Sequence, residues 1–239
     1  MHNTRNVVPL ESDPEIFSSL SYKLGLSPIL AYHDVFSITE PDLLALIPQP
    51  VYAVIMLFPL GKNYESYRKQ TDENKEYNNN NLANVKWYKQ TLGNGCGFYA
   101  ILHAISNILD DFIIQDLILK RNLLSYLKSR ISVDEISKLV ENLEENVDLG
   151  SNYSHGQTQA PSSDEDIYIH FVTFIKGKDN HLYELDGRRK GPIDLGNSTP
   201  TDNILDDPHL KEKVQFYMDN AEEENKHQFA LLALGPTQD

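Results

Sequence analysis

The stretch QTLGNGCGFYAILHAISNIL, residues 90–109, contains the only cysteine of the chain, Cys96, between two glycines. From Phe98 onward its apolar residues recur at helical spacing, which predicts an amphipathic helix that begins beside the cysteine. The unpaired N–H groups and the dipole at the start of a helix stabilise a thiolate. The pattern therefore indicates a reactive cysteine; the alternative is a small apolar residue that packs at the start of a core helix.

Composition limits the class of protein. The chain has 239 residues, 40% of them hydrophobic, which is enough to bury a core. A single cysteine excludes an internal disulfide framework and is typical of a reducing compartment. The first residues lack the apolar region of a secretory signal, and the longest uncharged apolar run, residues 51–60, is about half of what a bilayer requires. We therefore expect a protein of the cytoplasm, with the nucleus as a second location, and no membrane partner.

The net charge of −14 constrains the partners of the chain. Such an acidic surface disfavours nucleic acid and anionic membranes, and it would attract a basic partner. Simple solubility is the alternative explanation of the charge.

Several segments predict regular structure around the cysteine. Capping residues and apolar periodicity predict helices after Asp13, after Ser132 and over residues 210–221. Apolar, β-branched runs predict strands at residues 51–59 and 229–236 and a hairpin over residues 167–187.

Two polar segments show no such pattern. Residues 61–81 lack a hydrophobic period and end in four asparagines, which favours a mobile surface insertion. Residues 149–166 are long, polar and rich in serine, which is typical of a functional loop or of a linker between domains.

A nucleophilic thiol requires a base, and one histidine is suitably placed. His103 lies about 10 Å along the helix axis from Cys96, which is too far for a hydrogen bond. His170 interrupts an apolar strand, where a polar side chain must be satisfied or useful. If the hairpin is centred on Lys178, residue 170 lies opposite Asp186, with their Cβ atoms about 5 Å apart. This predicts a His170–Asp186 pair, which either orients a catalytic base or serves only the core.

Further residues near Cys96 suit the same chemistry. Gln90, six residues before the cysteine, supplies an amide that could donate to an oxyanion beside the Cys96 backbone N–H. Gly95 and Gly97 would let a substrate backbone lie against the sulfur. Together these residues provide a nucleophile, a base, an orienting carboxylate and an oxyanion donor, the parts of a thiol hydrolase.

The same residues carry a family resemblance. QTLGNGCG, residues 90–97, resembles the nucleophile motif of the ubiquitin carboxy-terminal hydrolase family. So do IHFVTF, which contains His170, and LYELDGR, which contains Asp186. The resemblance runs from about residue 6 to the end. Beyond the site it includes the family's opening helix, the start of its active-site crossover loop and its closing strand, at residues 12–26, 156–161 and 229–235. The chain is similar in particular to the short fungal members.

The resemblance implies a fold and the role of each residue. The fold would be a papain-like α/β (α+β) domain over residues 1–239, with a central, mostly antiparallel sheet between helices and a knotted chain. Cys96 would be the nucleophile, His170 the general base and acid, Asp186 the orienting carboxylate and Gln90 the oxyanion donor. Residues 150–166 would be the crossover loop. The implied substrate contacts are Asn94, Gly95, Gly97, Gly156, Gln157 and Phe171.

The resemblance also implies the substrate. It would be ubiquitin, whose basic C-terminal tail suits an acidic chain. We expect a monomer that uses no metal and no other cofactor and removes small adducts, short peptides or unfolded extensions from the terminal glycine. Two alternatives remain: the same chemistry on a ubiquitin-like modifier, and a ubiquitin-binding module that has lost activity. The filled catalytic positions argue against the second.

The length of residues 150–166 predicts a limit on the leaving group. A segment of about 17 residues closes a ring about 19 Å across at most. A helix of about 10–12 Å could pass such a ring, whereas a folded domain the size of ubiquitin, about 30 Å across, could not. We therefore expect poor cleavage between two folded ubiquitins, unless the segment is a plain linker.

Overall fold

The computed structural model describes residues 5–77, 84–114, 119, 123–124, 132–147 and 168–238. Over these residues the chain has a mixed α/β fold with one sheet of six strands. The helices are α1 Pro14–Leu24, α2 Pro41–Leu44, α3 Lys62–Asp72, α4 Cys96–Ile105, α5 Val133–Asn146 and α6 Pro208–Asn220. The strands are β1 Leu30–Asp34, β2 Ala53–Pro59, β3 Ile169–Lys176, β4 His181–Leu185, β5 Ile193–Asn197 and β6 Ala230–Pro236.

The sheet has the order β1-β6-β2-β3-β4-β5, and every neighbouring pair is antiparallel. Successive side chains of β2 point to opposite faces: Ala53 and Ile55 pack into one hydrophobic cluster, and Val54 and Met56 into another. Helices α1, α4 and α5 cover the first face, while α3 and α6 contribute to the second. The predicted central antiparallel sheet between helices is confirmed; the knotted chain and the single domain over residues 1–239 stay predictions.

The helix ends follow local capping chemistry. The Asp13 side chain accepts hydrogen bonds from the backbone N–H groups of Glu15 and Ile16 at 2.8 and 3.0 Å, and α1 ends at Gly25, whose φ of 124° suits glycine. Ser132 and Glu135 form the predicted capping box of α5. No helix in the described part of the chain is long and apolar enough to span a membrane.

The interpretation of residues 61–81 as a mobile surface insertion is wrong for residues 62–72, which form the helix α3. Only Tyr64 and Asp72 of this helix are buried, so its sequence shows no continuous apolar stripe. Its N-cap, Gly61, has no side chain, and Glu222 instead accepts a hydrogen bond from the Asn63 backbone N–H at 3.3 Å. Contacts distant in sequence therefore stabilise a helix that the local pattern does not predict. Residues 78–81 lie outside the described residues.

The predicted hairpin exists, but its register is two residues away from the prediction. Ile175 lies opposite Tyr183, not opposite residue 181. The Gly177 N–H donates to the His181 carbonyl at 2.8 Å, and Asn180 adopts a φ of 65°, so the loop comprises residues 178–180 and is centred on residue 179. A shift by two residues leaves every side chain on its predicted face. His170 and Asp186 therefore stay on the same face, although they are not directly opposite each other.

Candidate active site

Cys96 is the first residue of α4, as the sequence predicts. The chain enters the helix through Asn94, whose φ of 58° lies in the left-handed region that asparagine tolerates, and through the N-cap Gly95. The Cys96 side chain is buried, and its sulfur contacts the His170 imidazole and the backbone N–H groups of Phe171 and Gly97. The start of α4 thus places the thiol against the first residues of β3.

The base lies on β3, and the orienting carboxylate is the first residue after the neighbouring strand β4. The His170 Nε2 atom is 2.7 Å from the Asp186 Oδ1 atom, and both residues are buried. Since Nε2 is bonded to Asp186, Nδ1 is the ring nitrogen that remains for the Cys96 thiol. The structure therefore brings Cys96, His170 and Asp186 together, with Cys96 interacting with His170 and His170 hydrogen-bonded to Asp186.

The pKa shifts within this set favour a thiolate–imidazolium pair. Burial alone would raise the pKa of Cys96, but the hydrogen bond and charge of His170 and the two backbone N–H groups hold that pKa below its usual value. Burial would lower the pKa of His170, but Asp186 and Cys96 raise it to about 9. Burial would raise the pKa of Asp186, but the charge of His170 and the hydrogen bonds from His170, Tyr64 and the Arg188 N–H hold that pKa well below its usual range.

Gln90 is held beside the segment that follows Asp186. Its backbone N–H donates to the Gly187 carbonyl at 2.8 Å, and its side-chain Nε2 donates to the Leu92 carbonyl at 3.1 Å. An amide nitrogen carries two hydrogens, so one remains for an oxyanion. The Oε1 atom is buried and has no hydrogen-bond partner within the described residues. The role of Gln90 as an oxyanion donor stays a prediction.

The glycines beside Cys96 have a packing reason that the sequence does not reveal. A Cβ atom at Gly97 would lie 3.0 Å from the Leu10 Cβ atom, and one at Gly95 would lie 3.1 Å from the Leu92 Cβ atom. The side-chain direction at both glycines is therefore filled by the protein itself. Substrate contact through the backbones of Gly95 and Gly97, and at Asn94, stays a prediction.

Two other predicted substrate contacts lie outside the described residues, and the third, Phe171, has a buried side chain, so that its contact with a substrate stays a prediction. Gly156 and Gln157 belong to the undescribed part of the chain, as does the whole of the predicted crossover loop, residues 150–166. The Phe171 ring is buried and packs against Phe17 with the ring centroids 5.3 Å apart. The Phe171 side chain is therefore part of the core, and its backbone N–H is the group that faces Cys96.

His103 has a structural role, as its distance from Cys96 predicts. Its Nε2 atom accepts a hydrogen bond from the Tyr88 backbone N–H at 3.0 Å, and its ring stacks on the Tyr88 ring. Burial lowers the pKa of His103 to about 4, so the ring is neutral. Within the described residues, no group of three or more His, Cys, Asp and Glu side chains is arranged to hold a metal ion.

The structure adds residues that the sequence analysis does not single out. Tyr64 donates from its hydroxyl to the Asp186 Oδ2 atom at 2.5 Å, and the Arg188 N–H donates to Oδ1 at 2.8 Å. Arg188 could have been suspected, since it lies two residues after Asp186. Tyr64 gives no local signal, because it belongs to a segment without hydrophobic periodicity.

Comparison with known proteins identifies the family. The model of the family described as "Ubiquitin carboxyl-terminal hydrolase, family 1" matches residues 7–219. The chain belongs to the ubiquitin carboxyl-terminal hydrolase family. It is thus a thiol-dependent hydrolase, a cysteine peptidase of the deubiquitinase class.

Individual relatives agree with this assignment. The chain is 38% identical over 239 residues to ubiquitin carboxyl-terminal hydrolase YUH1 of Saccharomyces cerevisiae, with 97% of each chain covered. It is 32% identical over 200 residues to ubiquitin carboxyl-terminal hydrolase isozyme L1 of Rattus norvegicus, and that match covers 83% of this chain and 86% of the relative. The resemblance to this family, including a fungal member, is confirmed.

A solved structure supports the fold. The catalytic domain of Trichinella spiralis UCH37, crystallised with ubiquitin vinyl methyl ester, superposes with a TM-score of 0.72 and 21% sequence identity. The match covers 98% of this chain and 96% of that one. The six-stranded arrangement is therefore that of a ubiquitin carboxyl-terminal hydrolase catalytic domain.

Proposed function

We propose that this chain removes small adducts, short peptides or unfolded extensions from the C-terminal glycine of ubiquitin. The observation that carries the proposal is the arrangement of Cys96 at the start of α4, in contact with His170, whose Nε2 atom lies 2.7 Å from Asp186. Ubiquitin as the substrate is supported by the names of the relatives and by the ubiquitin adduct of the UCH37 catalytic domain.

In the first half of the reaction, the Cys96 thiolate attacks the carbonyl carbon of the terminal glycine. The bond between sulfur and carbon forms while the carbonyl π electrons move to oxygen. The Cys96 backbone N–H and the Gln90 amide would bind this oxyanion. The imidazolium of His170 then donates its proton to the leaving group, and the collapse of the oxyanion leaves a thioester on Cys96.

In the second half, neutral His170 removes a proton from water, and the resulting hydroxide attacks the thioester. The carbon–sulfur bond breaks, the thiolate–imidazolium pair is restored, and ubiquitin leaves as a carboxylic acid that loses its proton to the solvent to become a carboxylate. Asp186 keeps its charge throughout and holds the imidazole in orientation, as the pKa of Asp186, well below its usual range, implies.

The test is the reaction of the protein with ubiquitin and with a ubiquitin-like protein, each carrying a C-terminal electrophile such as a vinyl methyl ester. We expect a covalent adduct at Cys96 with ubiquitin, measured by intact-mass spectrometry. Adduct formation with the ubiquitin-like protein alone would assign that modifier as the substrate, and adduct formation with neither would indicate a module without activity.

A matched variant separates binding from chemistry. Cys96→Ala should abolish both the adduct and hydrolysis of a ubiquitin–peptide fusion, and should keep affinity for ubiquitin, because most of the contact area of a folded substrate lies away from the thiol. More than trace hydrolysis by this variant would exclude Cys96 as the nucleophile. The monomeric state remains a proposal supported by the family resemblance, and the cytoplasmic and nuclear location one supported by composition.

A further inference from the structure

Helix α3 is connected by side chains to the segment that follows β4. Three side chains of α3 bind three residues of the segment 186–189. The pairs are Tyr64 with Asp186 at 2.5 Å, Glu65 with Arg188 at 2.6 Å, and Asp72 with Arg189 at 2.8 and 3.1 Å. The Asp72–Arg189 pair is bidentate and buried, which is the geometry that fixes a guanidinium most firmly. The helix therefore holds the segment that begins with the orienting carboxylate.

The hydrogen bonds of Asp186 divide between its two oxygens. Oδ1 accepts from the His170 ring at 2.7 Å and from the Arg188 N–H at 2.8 Å, whereas Oδ2 accepts from the Tyr64 hydroxyl. Rotation about the Cβ–Cγ bond, a broad terminal torsion, moves both oxygens together, so donors on both oxygens restrict it more than donors on Oδ1 alone. The bond from Tyr64 to the second oxygen fixes the plane of the carboxylate.

Tyr64 is itself held rigidly and remains a donor. Its side chain is buried, and its ring contacts the Phe58 ring edge to face, with the centroids 4.9 Å apart. Burial and the neighbouring charge of Asp186 raise the pKa of Tyr64 well above its usual value. The phenol thus keeps its proton at neutral pH and remains a hydrogen-bond donor.

We propose that Tyr64 is a positioning residue for the hydrolysis: its hydroxyl fixes the Asp186 carboxylate so that the His170 imidazole stays aligned with Cys96. This proposal deepens the proposed function and rests on it. The alternative is that the hydroxyl only satisfies a buried carboxylate oxygen. In that case its loss would reduce stability and leave the chemical step unchanged, so kinetics and unfolding together separate the two.

The experiment compares Tyr64→Phe with Tyr67→Phe. Tyr67 lies about one turn further along α3, and its hydroxyl accepts a hydrogen bond from Lys213 at 2.8 Å, at the contact of α3 with α6. Each variant removes one hydroxyl and one hydrogen bond of the same helix, and only Tyr64 contacts Asp186. The measurements are kcat and KM on a ubiquitin–peptide fusion and the free energy of unfolding.

We expect Tyr64→Phe to lower kcat roughly 10-fold to 100-fold, the scale of one hydrogen bond to a charged group. Its KM should stay within about twofold, because the orientation of His170 affects the chemical step and not the binding of ubiquitin. Tyr67→Phe should keep kcat within about twofold. A wild-type kcat for Tyr64→Phe, or an equal loss in both variants, would overturn the proposal.

A double-mutant cycle tests whether Tyr64 acts through Asp186. In the background of Asp186→Ala the hydroxyl has no carboxylate to hold, so adding Tyr64→Phe should change kcat by less than about twofold. A loss as large as in the wild-type background would show that Tyr64 acts by another route and would overturn the proposal. Failure of the proposed function is recognised separately, since the unmutated protein would then form no adduct with ubiquitin vinyl methyl ester at Cys96.

Discussion

The Gly187 carbonyl accepts the Gln90 backbone N–H at 2.8 Å, so that the residue after Asp186 holds the residue expected to bind the oxyanion. The two backbones are close enough that a Cβ atom at Gly187 would lie 2.8 Å from the Gln90 Cβ atom and 3.1 Å from its nitrogen. The Trp87 ring N–H adds a second link, at 2.9 Å from the Asp186 carbonyl. The orientation of His170 and the position of Gln90 therefore depend on one another.

Gly187→Ala should displace Gln90 and lower kcat. The new Cβ atom overlaps both the side chain and the backbone of Gln90, and overpacking of this kind costs about 1–3 kcal/mol. The matched control is Gly235→Ala, whose Cβ atom would lie 2.7 Å from the Pro48 carbonyl, at a place where no proposed catalytic residue is found. Both variants should lose stability, measured by chemical denaturation, and only Gly187→Ala should lose kcat. An equal kcat in the two would contradict the coupling.

Gln90→Ala should raise the barrier of the chemical step by roughly 2–4 kcal/mol, the cost of one oxyanion donor. The Gln90 side chain donates a hydrogen bond to the Leu92 carbonyl, and Gln90 lies outside the helices and strands. Its truncation should therefore leave the fold intact. The measurement is kcat at saturating substrate, with unfolding monitored in parallel. If kcat falls less than about twofold, Gln90 has a structural role only.

Asp186→Asn should fold and should lower kcat by roughly 10²- to 10⁴-fold, as expected when an amide replaces the carboxylate that orients a catalytic histidine. The amide cannot stabilise the imidazolium, and it offers Nε2 of His170 one acceptor at most. Circular dichroism checks that the variant folds, and turnover of the ubiquitin–peptide fusion measures the loss of kcat. A folded variant with wild-type kcat would exclude a catalytic role for the His170–Asp186 pair.

The raised pKa of His170 predicts activity that extends to alkaline pH. The imidazolium is the proton donor to the leaving group, so kcat/KM should fall as the pH rises through the pKa of His170, about 9. Because Asp186 raises that pKa, Asp186→Asn should move the alkaline limb to lower pH, toward the ordinary histidine value of about 6.5. The check is the pH profile of both proteins. The account would be contradicted if kcat/KM of the wild-type protein already fell near pH 6.5, or if the alkaline limb of the variant's profile stayed at the wild-type pH.

Arg189→Met should destabilise the protein by up to about 3–5 kcal/mol, because the buried Asp72 keeps only the half-exposed Lys75 ammonium, 3.7 Å away, as a cationic partner. The second change Asp72→Leu should recover much of this loss, since it removes the poorly compensated charge. Urea unfolding of the single and double variants provides the comparison. A loss below about 1 kcal/mol in Arg189→Met would show that the buried pair does not hold α3.

The chemistry of the site could be read from the sequence because each signal was local. A glycine-flanked thiol before a helical period placed Cys96, and a histidine within an apolar strand identified His170. Asp186 depended on the hairpin register, and the predicted register was wrong by two residues. The site residue remained correct because side chains in a strand alternate with a period of two.

The support of the site could not be predicted, because its contacts join segments that are distant in the chain. Tyr64 is 122 residues from Asp186, and Asp72 is 117 residues from Arg189. Most of α3 is exposed or half-buried, so its sequence has no apolar stripe that would predict a helix. Glu222, which follows α6, accepts a hydrogen bond from a backbone N–H at the start of α3. Likewise, the packing of Leu10 against Gly97 follows only from the tertiary structure.

The position of β6 between β1 and β2 has a consequence during synthesis. Strands β1 and β2 make no ladder with each other, and both pair with residues 230–236. On the ribosome, β1 and β2 can therefore join into one sheet only after β6 has been synthesised. A cysteine in an unfolded chain has a pKa of about 8.5 and is mostly protonated at neutral pH. The contacts with His170 that lower the pKa of Cys96 exist only in the folded protein, so the thiol is less reactive in the growing chain than in the folded enzyme.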